Sequence, residues 1–217
     1  MPIDPSRILF RDDHLLIVNK RAGELVVKAD DRGKMPLYDF LHKAEPGLRV
    51  VHRLDFGTSG VIVFALTAEA LRAIRDSKFE GWIKTYVALV HGRMQGEKGT
   101  ISRKLAARTR ETLVDAVTQW KAREKFHRQT LVELTIETGR KHQIRQHLQS
   151  IGHPLVLDPA YGDMRLDRSF KKHFGYRRFF LHALRLAFPH PVTGKKVEVS
   201  APIPSAFQEV LAALRRM

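Results

Sequence analysis

Ten residues in the first half of the chain constrain its fold most, because charged and polar side chains stand directly beside an apolar run. Residues 51–60 read Val-His-Arg-Leu-Asp-Phe-Gly-Thr-Ser-Gly, and Val-Ile-Val-Phe-Ala-Leu follows. The run predicts a buried strand. Asp55 lies between Leu54 and Phe56 at the edge of that core, where a carboxylate needs a cationic or hydrogen-bonding partner to stay ionised. The alternative for Asp55 is a turn former that accepts hydrogen bonds from nearby backbone amides.

A second polar cluster offers such a partner. Residues 138–147 read Thr-Gly-Arg-Lys-His-Gln-Ile-Arg-Gln-His. Ile144 and Leu148 lie four residues apart and predict a helix over residues 140–151. Arg145 stands at the border of the apolar stripe, from which a guanidinium can form a bidentate pair with a buried carboxylate. A structural ion pair without chemistry is the alternative.

Three histidines near this helix raise the question of a metal. His142, His147 and His153 are separated by five and six residues. These spacings miss the i, i+4 pairing of a helical zinc site, and the segment around them offers no carboxylate. The sequence therefore predicts no metal, and no motif points to an organic cofactor.

Composition excludes several classes of protein. The 217 residues include no cysteine, which rules out disulfides, thiolate nucleophiles and cysteine-bound zinc and favours the cytoplasm. No stretch approaches the roughly 20 apolar residues of a membrane helix, and the N-terminal residues do not read as an export signal. Lysine and arginine total 38 against 23 acidic residues, a net charge of +15, which suits a polyanionic partner.

The basic residues are clustered. Residues 98–110 contain five basic side chains and no acid, and residues 165–178 contain six with one acid, Asp167. We interpret the first segment as a hairpin or extended arm and the second as an insertion-like loop. Both are candidate phosphate-binding patches. Their candidate phosphate contacts are Lys104, Arg108, Lys171 and Lys172.

The order of predicted elements is rich in strands with scattered helices, which favours an α+β fold with a largely antiparallel sheet. No linker divides the chain, so we expect a single domain over residues 1–217, with residues 1–7 as a loose lead-in. A final helix is predicted to pack through four apolar side chains, Phe207, Val210, Leu211 and Leu214.

The two motifs together resemble the signatures of the RluA-type RNA pseudouridine synthases. The shared strings are His-Arg-Leu-Asp with Thr-Ser-Gly at 52–60 and Thr-Gly-Arg-x-His-Gln-Ile-Arg at 138–145. The resemblance runs from about Ile8 to Pro202 and includes no counterpart of the S4 RNA-binding domain that many members carry. It implies a long, bent, mixed and mainly antiparallel sheet flanked by helices, two fused halves with a central basic cleft.

The resemblance also implies roles for individual residues. Asp55 would be the nucleophile, paired with Arg145, and Tyr86 of the Lys-x-Tyr-x-Ala string would line the site, although a tyrosine on a strand is often only half-buried. Arg53 would fill the gap left by a flipped nucleotide. The remaining candidates for RNA binding and base flipping are His52, Thr58, Arg140, His142 and Gln143.

The implied reaction is isomerisation of a specific uridine in a tRNA or rRNA stem-loop by a monomeric enzyme without metal or cofactor. Two rivals remain: an RNA-binding protein without activity, and a nuclease, which would need a second acid or a metal. The sequence departs from the family pattern at Arg21, where proline is usual, and at Leu157, where glycine is common. Both departures predict locally altered backbone.

Overall fold

The structure, a computed structural model, describes residues 3–28, 35–106 and 112–217. The chain forms two compact units. The first unit comprises residues 1–83 and 183–202, and the second comprises residues 84–182 and 203–217. Among the helices of the described ranges, none has both the length and the apolar character needed to cross a lipid bilayer.

The elements follow in chain order. The strands are β1 (Ile8–Arg11), β2 (Leu15–Lys20), β3 (Arg49–Val50), β4 (Ser59–Ala65), β5 (Ile83–His91), β6 (Lys98–Ser102), β7 (Leu105–Ala106), β8 (Leu113–Val114), β9 (Val117–Lys125), β10 (Gln129–Ile136), β11 (Leu181–Pro189) and β12 (Lys196–Ser200). The helices are α1 (Leu37–His42), α2 (Ala68–Asp76), α3 (Gln143–Ser150), α4 (Met164–Phe174) and α5 (Ser205–Arg215).

The first unit has strands in the order β1-β2-β4-β11, with β3 beside β4 and β12 beside β11. The pairs β1–β2, β2–β4, β3–β4 and β11–β12 are antiparallel. Strand β4 is buried along its whole length. Because successive side chains of a strand point to opposite faces, β2 and β4 feed two separate clusters. Ile17 and Val63 belong to one, and Val18 and Phe64 belong to the other. This double burial explains the unbroken apolar run that follows Asp55.

The prediction of a loose lead-in is wrong for residues 3–7. Ile3 is buried in the apolar cluster beneath β2 and β4, and the three residues from Pro5 form a 3-10 turn capped by Asp4. Arg7 is buried, donates from Nε to the carbonyl of Asn19 and pairs with Glu24 at 2.6 Å. A charge pair at the edge of the core fixes this segment.

The second unit has strands in the order β5-β10-β9-β6, all antiparallel, and a separate β7-β8 hairpin. Part of the predicted arm over residues 98–110 is therefore strand β6, paired with β9. Helix α5 packs through the four predicted apolar side chains, all of which are buried. The predictions for the final helix and for the α+β class are confirmed.

The predicted loop over residues 165–178 is wrong, because most of it is helix α4. Asp163 caps its start by accepting hydrogen bonds from the amides of Arg165 and Leu166, and Gly175 ends it in the left-handed region with φ +65°. Its inward positions are Asp167 and Phe170. A charged residue at an inward position concealed the helical period of the apolar residues.

Candidate active site

Asp55 lies in the turn that leads into β4. The amide of Thr58 donates to the carbonyl of Asp55 at 3.0 Å, and the Asp55 side chain is half-buried. Gly60, the last residue of the motif, has φ +110°, and a Cβ there would overlap the backbone of Ala183 on β11. Only glycine fits this close approach, so the motif ends where the chain must pass tightly into the core.

A buried lysine holds this turn from below. Lys20, at the end of β2, has no exposed surface. Its Nζ lies within hydrogen-bonding distance of four backbone carbonyls, which share its three N–H donors: those of Arg21 at 3.1 Å, Asp55 at 3.2 Å, Phe56 at 3.3 Å and Thr58 at 2.6 Å. An ammonium group buried without acceptors would be very costly, so these carbonyls fix the backbone of the Asp55 turn around it.

The departure at Arg21 has a structural consequence. The amide of Arg21, which proline would lack, donates to Oε2 of Glu24 at 2.8 Å. The same oxygen of Glu24 pairs with Arg7. The amide of Gly23 donates to the carbonyl of Phe56 at 2.7 Å. Arg21 therefore ties the turn after β2 to the N-terminal segment, while Gly23 ties it to the Asp55 turn.

The neighbours of Asp55 have different environments. Nε2 of His52 accepts a hydrogen bond from the amide of Val63 at 3.2 Å, and the His52 ring packs edge-on against Trp82. This gives the His52 ring a structural role inside the first unit. Thr58 is buried, whereas Arg53 is exposed. Among these residues Arg53 is the one whose side chain is open to a nucleic acid.

Arg145 of α3 is a buried guanidinium that one carboxylate and two aromatic rings contact. Its Nε and Nη2 each donate to one carboxylate oxygen of Asp158 at 2.7 Å. The rings of Tyr161 and Phe179 cover its two sides, with Cζ 5.0 and 4.9 Å from their centroids. Cation–π contact and a bidentate pair fix the plane of the guanidinium. The predicted pair of Arg145 with Asp55 has one member in each unit and stays a prediction.

Asp158 is held as firmly as its partner. Burial alone would raise the pKa of Asp158, but hydrogen bonds from Arg145 and from the amides of Ala160 and Tyr161 bring it below the usual value of 3.8. The preceding residue, Leu157, has φ +64°, in the left-handed region that favours glycine. The departure at Leu157 thus leaves a glycine-like backbone that carries a leucine side chain.

The rest of the second motif is mainly structural. Gln143 is buried, and its Nε2 donates to the carbonyl of Val117 and to Thr118 while its Oε1 accepts from Thr138 and the amide of Arg140. The side-chain amide of Gln143 is thus bonded inside the second unit, and its contact with RNA stays a prediction. His142 lies at φ +53°, before α3, and its Nδ1 is 3.1 Å from the Tyr161 hydroxyl. Arg140 is exposed.

Tyr86 lies on β5, buried and paired in register with Leu134 of β10. Lys84 stands two residues earlier and therefore points to the same face of the strand. Burial lowers the pKa of Lys84 to about 8, and its Nζ donates to the carbonyl of Glu137 at 3.3 Å. A group that titrates near neutral pH thus lies beside Tyr86 on β5.

The three histidines considered for a metal each have a separate protein contact. His142 contacts Tyr161, Nδ1 of His147 lies 2.8 Å from Oγ1 of Thr118, and Nδ1 of His153 lies 2.9 Å from the carbonyl of His91. Over the parts of the chain that the structure describes, no three metal-binding side chains converge. The geometry therefore offers no metal centre there.

The predicted phosphate contacts lie on the surface. Lys104 follows β6, and Lys171 and Lys172 lie on α4, all three exposed. Arg108 lies outside the described residues. The exposed side chains have the accessibility that contact with a phosphate backbone requires.

Two supporting residues escaped the sequence reasoning. Asp158 follows the apolar residues Leu155, Val156 and Leu157, the same signal that singled out Asp55, and could have been found by it. Lys20 gave no signal, because a lysine at the end of a strand is usually exposed. Its acceptors come mainly from the Asp55 turn, about 35 residues later in the chain.

Comparison with solved structures identifies the fold. A solved structure of human RNA pseudouridylate synthase domain containing 4 matches with a TM-score of 0.81 and 24% identity, over 97% of this chain and 93% of that one. The chain therefore has the pseudouridine synthase fold.

Sequence comparison gives the family. A profile described as RNA pseudouridylate synthase matches residues 14–150. Ribosomal large subunit pseudouridine synthase C of Vibrio cholerae is 35% identical, over 96% of this chain and 69% of its own. Ribosomal large subunit pseudouridine synthase D of Xanthomonas campestris is 35% identical, over 97% and 70%. The chain belongs to the RluA-type family of RNA pseudouridine synthases, and it is an isomerase that acts on uridine in RNA.

Proposed function

We propose that Asp55 is the nucleophile of this isomerase. In the reaction the bond from uracil N1 to sugar C1′ breaks, the held base rotates, and a bond from C5 to C1′ forms. C5 then loses its hydrogen as a proton and N1 gains a proton, so that the atoms balance. A carboxylate can attack C1′ or C6, or take a proton from the sugar, so Asp55 can serve each route. The observation that carries the proposal is that buried Lys20 holds the backbone of the Asp55 turn in place. Preorganising a reacting group lowers the barrier of its reaction.

Arg145 would pair with Asp55 and orient its carboxylate. Nε and Nη2 of Arg145 already bind Asp158, and a guanidinium carries five N–H donors in a rigid fork. A second carboxylate can be bound on another edge of the same group. Tyr86, buried on β5, would line the site and could stack on the extracted base.

We propose that the substrate is a stem-loop of large-subunit ribosomal RNA, with tRNA as the alternative. The relatives compared are named as synthases of the ribosomal large subunit. Arg53 would fill the gap left by the flipped base, a step that costs a few kcal/mol. Lys104, Lys171 and Lys172 would bind phosphates of the flanking stem. We also propose that the enzyme acts as a monomer in the cytoplasm.

The experiment is tritium release from RNA labelled at C5 of uridine. Asp55→Asn removes the negative charge and keeps the shape, so we expect RNA affinity within threefold of wild type and no release above background. Asp13→Asn, a change at an exposed aspartate in the first unit, is the control and should release tritium at the wild-type rate. Turnover by the Asp55 variant within tenfold of wild type would overturn the assignment.

A further inference from the structure

Helix α4 has two chemically opposite sides. Arg165, Arg168 and Lys172 recur at i, i+3 and i+7, so they share one face, and all three are exposed. None of them forms an ion pair with another residue of the described ranges. Uncompensated positive charges on a rigid helix suit a row of phosphates.

The opposite side of α4 carries a buried carboxylate. The side chain of Asp167 is 8% exposed. Its Oδ1 accepts a hydrogen bond from the amide of Leu157 at 2.7 Å and from Nε2 of the buried His91 at 2.8 Å. One oxygen atom therefore ties α4 both to β5 and to the segment that precedes Asp158.

The donor of the hydrogen bond to Asp167, the amide of Leu157, is one residue from the partner of Arg145. Leu157 is followed by Asp158, whose carboxylate binds the guanidinium in a bidentate pair. Leu157 has φ +64°, a conformation that costs about 1–2 kcal/mol for a residue with a Cβ and persists only where its surroundings hold it. The hydrogen bond from its amide to Asp167 provides such a hold.

The loop that carries Asp158 is closely packed against α4. A Cβ on Gly162 would overlap the carbonyl of Asp158 and crowd Oδ2 of Asp167. The loop that carries Asp158 and the carboxylate of α4 thus meet at a glycine with no room between them. A displacement of α4 cannot be absorbed at this point without moving the Asp158 backbone.

We propose that Asp167 is a positioning residue that joins the phosphate-binding helix α4 to Arg145, through Leu157 and Asp158, as one rigid assembly. The proposal rests on the function proposed above for Arg145. RNA bound along the outer face of α4 would then be held in a fixed register with the guanidinium. Loss of the link should lower the rate of isomerisation more than the affinity for RNA, because the phosphate-binding side chains stay in place.

The kinetic test uses Asp167→Ala and Asp167→Asn with full-length enzyme and a labelled RNA substrate. Alanine removes both hydrogen bonds, whereas asparagine keeps an oxygen that can accept from Leu157. We expect kcat at least tenfold lower for alanine, an intermediate kcat for asparagine, and a Kd for RNA within threefold in both. Ser169→Ala, an exposed change on the same helix, is the control and should leave both constants unchanged.

A second readout follows Arg145 without turnover. The Nε–H signal of Arg145 in a proton–nitrogen NMR spectrum can be assigned by its loss in Arg145→Lys. We expect a protected signal in wild type and in Ser169→Ala, and faster exchange with water in both Asp167 variants. If Asp167→Ala does not fold, the same measurement is made on Asp167→Asn.

The outcomes separate this link from the proposed function. An unchanged Arg145 signal together with an unchanged kcat in a folded Asp167 variant would overturn the link, as would a loss of RNA affinity as large as the loss of kcat. Full activity of Arg145→Ala would instead overturn the role proposed for Arg145. In that case the NMR signal alone still decides whether Asp167 fixes the guanidinium.

Discussion

At the scale of single residues, the buried ammonium of Lys20 explains why a polar turn can sit against a hydrocarbon core. The carbonyls of Asp55 and Phe56 each accept from a backbone amide as well as from Nζ, and the shortest contact of Nζ, 2.6 Å, is with the carbonyl of Thr58. The buried ammonium needs the carbonyls as acceptors, and the carbonyls are oriented by the ammonium. Lys20 and the Asp55 turn therefore depend on each other for their conformation.

Replacing Lys20 tests this dependence. Lys20→Met keeps the length of the side chain but removes the charged donor shared by these carbonyls, so we expect a loss of about 2 kcal/mol in the free energy of unfolding. Urea denaturation followed by circular dichroism measures it. Lys195→Met, an exposed lysine of the same unit, should change stability by less than about 0.5 kcal/mol. Equal losses in the free energy of unfolding at the two sites would show that Lys20 does not hold the Asp55 turn.

Leu157 offers a second test at this scale, because its backbone is glycine-like. Leu157→Ala and Leu157→Gly lose the same buried side chain, but only glycine relieves the positive φ. We expect the glycine variant to be more stable than the alanine variant by about 1 kcal/mol. At Leu155, which is buried without a positive φ, the order should reverse, since glycine costs about 0.5–1 kcal/mol in entropy. The same order at both positions would show that Leu157 carries no strain.

At the scale of elements, the pair between α3 and the loop before α4 makes stability depend on pH. The folded pKa of Asp158 lies below its usual value, so its stabilisation is present above about pH 4 and is lost as pH falls through the folded pKa. Wild type should exceed Asp158→Asn by about 3 kcal/mol or more at pH 7, because the variant leaves a buried guanidinium poorly paired. The difference should shrink below pH 4. Asp115→Asn, an exposed change in the second unit, should show no such gap, and a gap independent of pH at Asp158 would contradict this account.

The sequence predicted an element correctly where the residues that the fold buries are also the apolar ones. Helix α5 follows from apolar side chains at helical spacing, and its buried positions are the ones that the period selects. Helix α4 was missed because Asp167 occupies an inward position and basic residues surround it. Its burial depends on His91 and the amide of Leu157, which are 76 and 10 residues away in sequence. No local pattern contains that information.

At the scale of the whole molecule, two short motifs were enough to indicate the fold class, the family and the kind of reaction. They are informative because each combines glycines required by the backbone with charged groups that a core does not otherwise tolerate, as at Gly60 and Arg145. Of the residues that hold these groups, Asp158 carries the same local signal as Asp55, whereas Lys20 could not be predicted, because its contacts exist only in the folded chain.

The pair that we propose between Asp55 and Arg145 underlies the proposed site, and a double-mutant cycle tests it most directly. The free energies of unfolding of wild type, Asp55→Asn, Arg145→Gln and the double variant give the coupling of the two side chains, with the Asp158 contribution cancelled. We predict a coupling of about 1 kcal/mol or more, as is typical of residues in one ion-pair network. Additive effects, within about 0.3 kcal/mol, would contradict the pair and with it the proposed site.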